Sequence, residues 1–267
     1  MASVDALKRR AFGETSRRDA WWLQPLLVFL GFSTFIVYST WAAFQNGHYW
    51  LPGTNYLSPF YSPELFGSSP HSWFGPVPAW WPAFAPFSPA FLILWAPGGF
   101  RFTCYYYRGA YYKAFWGDPP GCTVGEPRKQ YLGERSLPLI LQNVHRYFLY
   151  VAIVFIGLLA FDAWKSLWFP DASGVEHFGI GVGSLVMLVN VVLLGSYTFS
   201  CHSFRHLIGG RRDELSKLEA RLAAYRCVSC INTKHMLFAW LSLTSVGFTD
   251  VYVRLCSMGI WTDWRIL

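Results

Sequence analysis

Apolar residues fall along this chain in long runs, unlike the alternation of strands or the narrow stripe of a surface helix. A helix needs roughly 20 apolar residues to cross about 30 Å of hydrocarbon. Five windows meet that requirement: 21–44, 89–116, 139–164, 178–208 and 235–260. In the second, the core from Pro89 to Tyr107 continues as an aromatic extension to Trp116. The pattern predicts an all-α membrane protein, a bundle of about five transmembrane helices. Residues 21–267 would form one anchor domain, preceded by a basic segment, 1–20. No internal repeat and no low-complexity tract is visible.

The connections set the orientation. Residues 46–87 contain no Lys or Arg and are rich in Pro, Gly, Ser and Trp, which predicts an irregular cap at the outer interface between the first two spans. Arg108, Lys113, Arg128, Lys129 and Arg135 follow the second window, and Arg205, Arg211, Arg212, Lys217, Arg221, Arg226 and Lys234 follow the fourth. Positive charge stays inside, so the N-terminus and both basic connections are cytoplasmic and the C-terminus is outside. Residues 211–225 (RRDELSKLEARLAAY) align Leu215, Leu218 and Leu222 on one stripe, as a surface-lying amphipathic helix or a solvated linker helix would.

Composition agrees with lipid as the solvent. Charged residues make up 14% of the chain, where soluble domains carry about 25%. The basic N-terminal segment lacks the short apolar core of a cleaved signal, so the first window is expected to remain as a span. A net charge of +7 raises nucleic acid as a partner, but the basic residues are distributed by topology rather than gathered on one face. No nucleic acid is expected. Most of the six cysteines fall on the cytoplasmic side, where disulfides are rare, leaving ligand or core roles.

Ionisable and thiol groups inside a membrane are costly and mark candidate sites. Cys104 lies four residues before Arg108, and Cys201 four before Arg205. If both arginines mark the interface, the two thiols sit level, roughly 6 Å below it. His202 and His206 stand at i and i+4, the spacing at which two imidazoles reach one metal. His145 and His235 open the third and fifth windows. Taken singly, each is accounted for by a core thiol or an imidazole bonded to a carbonyl. Together they offer three chemistries: a haem b with two axial histidines, a Rieske-type [2Fe–2S] cluster on two thiolates and two imidazoles, or a structural zinc.

Other candidates are weaker. Cys227 and Cys230 form a lone CxxC, Cys122 lies in the first basic connection, and Cys256 reads as core. Asp250 and Arg254, at i and i+4, are expected to form an ion pair. Arg101 is too deep to snorkel and should face the bundle, paired with a carboxylate or a cofactor. His48 and His71 fall in the cap and His177 near the fourth span, without an assigned role.

Four strings, FTCYYYRGAYYKAFWGDPPGC, NVHRYFLY, YTFSCHSFRHLIGG and NTKHMLFAWLSLTSVGFTDVYVRL, resemble the single membrane-anchor subunit of a bacterial succinate dehydrogenase, respiratory complex II, of the haem-lacking kind. The resemblance covers most of the chain from Trp21. It implies a multi-pass protein of the bacterial inner (plasma) membrane, not catalytic alone, with a flavoprotein subunit, an iron–sulfur subunit, membrane lipid and quinone as partners. A homo-oligomer of the complex is also compatible with it. It implies a Rieske-type [2Fe–2S] cluster, with Cys104 and Cys201 as thiolates and the imidazoles drawn from His202, His206 and His235, His145 in reserve. Quinone would bind among Arg205, His145, Tyr105, Tyr111 and Trp240. The Cys227–Cys230 pair is not part of the family pattern.

Overall fold

The computed structural model describes residues 19, 20, 22–82, 84, 86–112, 140–171, 173–210 and 219–267. The basic N-terminal segment, the connection holding Cys122, Arg128, Lys129 and Arg135, the Tyr111 side chain and residues 211–218 lie outside the described residues.

The first window folds as α1 (Leu23–Gln45), which stops at Asn46 in the left-handed conformation, φ 46°. Asn tolerates that conformation better than most residues. A cap follows, opened by the antiparallel pair β1 (Trp50–Leu51) and β2 (Tyr56–Leu57), so it is less irregular than its composition suggested. Beyond it come α2 (Pro89–Ile93), α3 (Trp95–Thr103), α4 (Tyr105–Tyr107) and a π-helical turn over Arg108–Tyr112. The remaining elements are α5 (Ile140–Lys165), a second hairpin of β3 (Trp168–Pro170) and β4 (Glu176–Phe178), α6 (Val182–Phe199), α7 (His202–Gly209), α8 (Glu219–Asn232) and α9 (His235–Ser257).

Among the described residues, four helices are long and apolar enough to span a membrane: α1, 143–165 of α5, α6 and α9. The second window is not one helix, contrary to the expectation of a run to Trp116. Pro97 lacks a backbone N–H and its ring crowds the carbonyl four residues back, so the helix restarts at Trp95 with Pro97 in its first turn. A second break falls at Cys104. The segment nevertheless crosses the bundle. Ala90 of α2 packs with cap residues Tyr49, Leu57, Phe60 and Tyr61, whereas Tyr107 of α4 packs at the other end with Cys104 and Cys201. The fourth window also breaks, at Ser200–Cys201, and does not run as one helix to Ile208.

The cap, the second hairpin and the C-terminal tail meet at one end. Tyr56 bonds Ser184 and Asp263, Asn55 donates to the Trp168 carbonyl, and the Ile266 amide donates to the Ile180 carbonyl. The crossings therefore thread antiparallel between this outer end and a cytoplasmic end that carries α7 and α8. Near the outer end, Asp250 and Arg254 form the expected ion pair, both buried, with Nε 3.2 Å from Oδ2. Asp250 also accepts from Tyr38 Oη at 2.5 Å and from Ser58, and Arg254 donates to the Gly47 carbonyl. One polar knot thus ties α1, the cap and α9.

Candidate functional site

Two helices break at a cysteine, and they break alike. Cys104 ends α3 with φ −63° and ψ 133°; Cys201 follows α6 with φ −64° and ψ 141°. Each cysteine N–H bonds the carbonyl three residues back, and each cysteine carbonyl accepts from the arginine four residues on, Arg108 or Arg205. An extended residue between two helical ones swings its side chain off the helix face and into the space between crossings. Both thiols are buried.

An imidazole meets each thiol. His145 Nε2 lies 3.0 Å from Cys201 Sγ, and His235 Nε2 lies 3.5 Å from Cys104 Sγ. The other ring nitrogens are held by hydroxyls. Thr103 Oγ1 is 2.9 Å from His145 Nδ1, and Ser200 Oγ is 2.8 Å from His235 Nδ1. Each hydroxyl spends its proton on a backbone carbonyl, Thr103 on Gly99 and Ser200 on Tyr197. A hydroxyl that has donated can only accept, so each Nδ1 carries the hydrogen and each Nε2 turns its lone pair toward sulfur. The partnership is crosswise: the residue before Cys104 orients the imidazole that meets Cys201, and the residue before Cys201 orients the one that meets Cys104.

The two thiols, the two imidazoles and Thr103 border one cavity of about 530 Å³, also lined by Tyr105 and His202. The structure thus brings together Cys104, Cys201, His235 and His145, the last held in reserve by the sequence reading. It does not bring His206 to them. His202 and His206 pair with each other, Nε2 to Nε2 at 3.0 Å, on an exposed face; burial and then the neighbouring His206 and Arg205 lower the pKa of His202. α7 is a new helix after the break at Cys201; on it His202 still lines the cavity of the buried thiols, whereas His206 does not. Among the described residues, no group of three or more His, Cys, Asp or Glu surrounds a single point as one metal ion requires.

The residues proposed for quinone scatter around this cavity. Tyr105 borders it and is exposed. Trp240 does not line it but donates to Tyr106, which does, at 2.8 Å. Arg205 lines a neighbouring cavity of about 250 Å³ with His202, His206 and Tyr225, donates to Tyr225 at 2.7 Å, and has a buried Nε without a partner among the described residues. Arg101 faces the bundle as expected, but its partners are Tyr107, the Ala239 carbonyl and Ser242 rather than a carboxylate. Cys227 and Cys230 are exposed on α8, and Cys256 is buried.

Residues 23–259 match the model of a family described as actinobacterial succinate dehydrogenase subunit SdhC. The chain belongs to that family. It is therefore the membrane subunit of a succinate dehydrogenase, part of an enzyme complex and a multi-pass protein of the inner membrane. It is also similar to a chain of the Mycobacterium smegmatis Sdh1 complex in the apo form, with 42% identity over 99% of each chain and a TM-score of 0.80. No curated protein matches it. Within this anchor subunit, sequence reasoning missed Thr103 and Ser200. The signal was present: a hydroxyl residue directly precedes each level cysteine, and each such pair is followed by a histidine opening the next long helix.

Proposed function

We propose that this anchor subunit joins a flavoprotein and an iron–sulfur subunit, and passes their electrons to quinone through a Rieske-type [2Fe–2S] cluster on Cys104, Cys201, His145 and His235. The two crosswise thiol–imidazole pairs around one cavity carry this reading. Two thiolates and two imidazoles are the Rieske donor set, and each imidazole has the second hydrogen bond that fixes a metal-ligating ring. The residues fit the group. When bound, it would supply a one-electron carrier with a potential above that of an all-cysteine cluster.

The chain's own part is to hold and to exclude. The two breaks present both thiols inward, and Thr103 and Ser200 hold the two rings in the tautomer whose Nε2 can bind. Arg205, through an Nε that has no partner among the described residues, and His202 offer hydrogen bonds to quinone carbonyls from the cytoplasmic side, with exposed Tyr105 along the path from lipid. A haem b would use the imidazoles alone and leave two level, buried thiols without a role.

Low-temperature EPR on the purified complex, with iron and acid-labile sulfide measured in parallel, tests this. A Rieske-type signal that disappears in Cys201→Ala is the expected result. A signal that survives that substitution overturns the assignment, as does a Soret band in place of the signal.

A further inference from the structure

Beneath the two pairs lies a layer that the proposed function does not use. Tyr197 is 1% exposed. Its ring stacks on His235 at 5.0 Å and 17°, and its buried hydroxyl has no hydrogen-bond partner among the described residues, although it lies within interaction range of Cys104. The Arg101 guanidinium also packs on this ring, 4.5 Å from its centroid. No described carboxylate pairs with Arg101; its partners are hydroxyls, a carbonyl and ring faces. A cation without a described carboxylate partner in a low-dielectric bundle is costly, and a buried hydroxyl without a described partner adds to that cost.

Resting on the cluster reading above, we propose that Arg101 and Tyr197 form an electrostatic seat that raises the reduction potential at Cys104, Cys201, His145 and His235. With two ferric ions, two sulfides, two thiolates and two neutral imidazoles the group is formally neutral, and one electron from the iron–sulfur subunit leaves it with one negative charge. A cation one ring away favours that charged form. The Tyr197 hydroxyl, left without a described partner, is free to donate toward the Cys104 sulfur and would favour it too, since charge on the sulfur grows on reduction. The electron is the only species transferred, and neither residue gains or loses a proton.

Redox titration followed by EPR, on the intact complex, reads the effect directly. Arg101→Gln removes the charge while keeping hydrogen-bonding capacity; the ratio of reduced to oxidised centre at a fixed ambient potential should fall about tenfold or more, a tenfold change being 59 mV for one electron. Tyr197→Phe keeps the ring stack and should produce a smaller fall, and Arg101→Lys should recover most of the wild-type ratio. If Arg101→Gln fails to assemble, Tyr197→Phe carries the test alone. Potentials equal to wild type in every assembled variant overturn the seat and leave the ligand assignment standing. Absence of an iron–sulfur signal in the wild-type complex overturns the ligand assignment, and the seat with it.

Discussion

The His145 imidazole and the Thr103 hydroxyl are joined by a 2.9 Å hydrogen bond, and that contact decides which ring nitrogen faces Cys201. Thr103 donates to the Gly99 carbonyl and so accepts from Nδ1. Thr103→Val keeps the shape and removes the acceptor, freeing the ring to take either tautomer. The expected result is a roughly 10- to 100-fold loss of metal affinity, the usual cost of a lost outer hydrogen bond, read as iron retained per complex against a chelator. Thr103→Ser should restore retention. Ser200→Ala should act in the same way through His235.

The two pairs of histidines separate cleanly by substitution. His145→Ala and His235→Ala each remove an imidazole that meets a thiol and should abolish the Rieske-type signal with the complex still assembled. His206→Ala removes an exposed ring whose described partner is His202 and should leave the signal intact. The reverse result, loss with His206→Ala and retention with His145→Ala, would move the site to the outer face of α7.

The crossings were legible because they depend on a sum over many residues, hydropathy over about 20 positions; a similar sum, lysine and arginine over whole connections, sets their expected direction. The common level of Cys104 and Cys201 was legible too, since each stands four residues before an interfacial arginine. The imidazole partners were not. The spacing of His202 and His206 implies one helical face, but that face matters only if the helix continues past Cys201, and it does not. Nothing local forces either cysteine break, as neither cysteine is flanked by Pro or Gly. Contacts from other crossings impose the extended conformation, and a pattern-based reading does not see such tertiary override. Arg101 illustrates the same point, since its depth was readable and its ring-face partners were not.

At the outer end, the turn between β3 and β4 should respond to acid. Asp171 Oδ1 accepts from Ser173 Oγ and from the amides of Ser173 and Val175, and Oδ2 meets His177. These bonds, the Ser173 one foremost, hold its carboxyl below the usual range, and Lys165 does likewise for Glu176. A depressed folded pKa adds stability that is complete above the unfolded value, about 3.9 for Asp, and is lost as pH falls through the folded value. Amide protection of Ser173 and Val175, corrected for intrinsic exchange, should therefore be high at about pH 5 and fall by about pH 2. Asp171→Ala should remove it at both.

Asp250 and Arg254 test how the outer end is held. The pair is buried, and its lone pairs and protons are taken up by Tyr38, Ser58 and Gly47 from α1 and the cap. Removing one partner leaves a buried charge without its counterpart, a loss of about 3–5 kcal/mol. Asp250→Asn and Arg254→Met should each lower the thermal midpoint of the solubilised complex by several degrees. The double substitution should cost less than the two single losses combined, because no lone charge remains. Since the thiol–imidazole pairs lie at the opposite end of the bundle, iron retained per folded complex should stay at the wild-type level in all three variants. A fall in iron at temperatures below unfolding would show that the two ends are coupled through α9, which carries both Arg254 and His235.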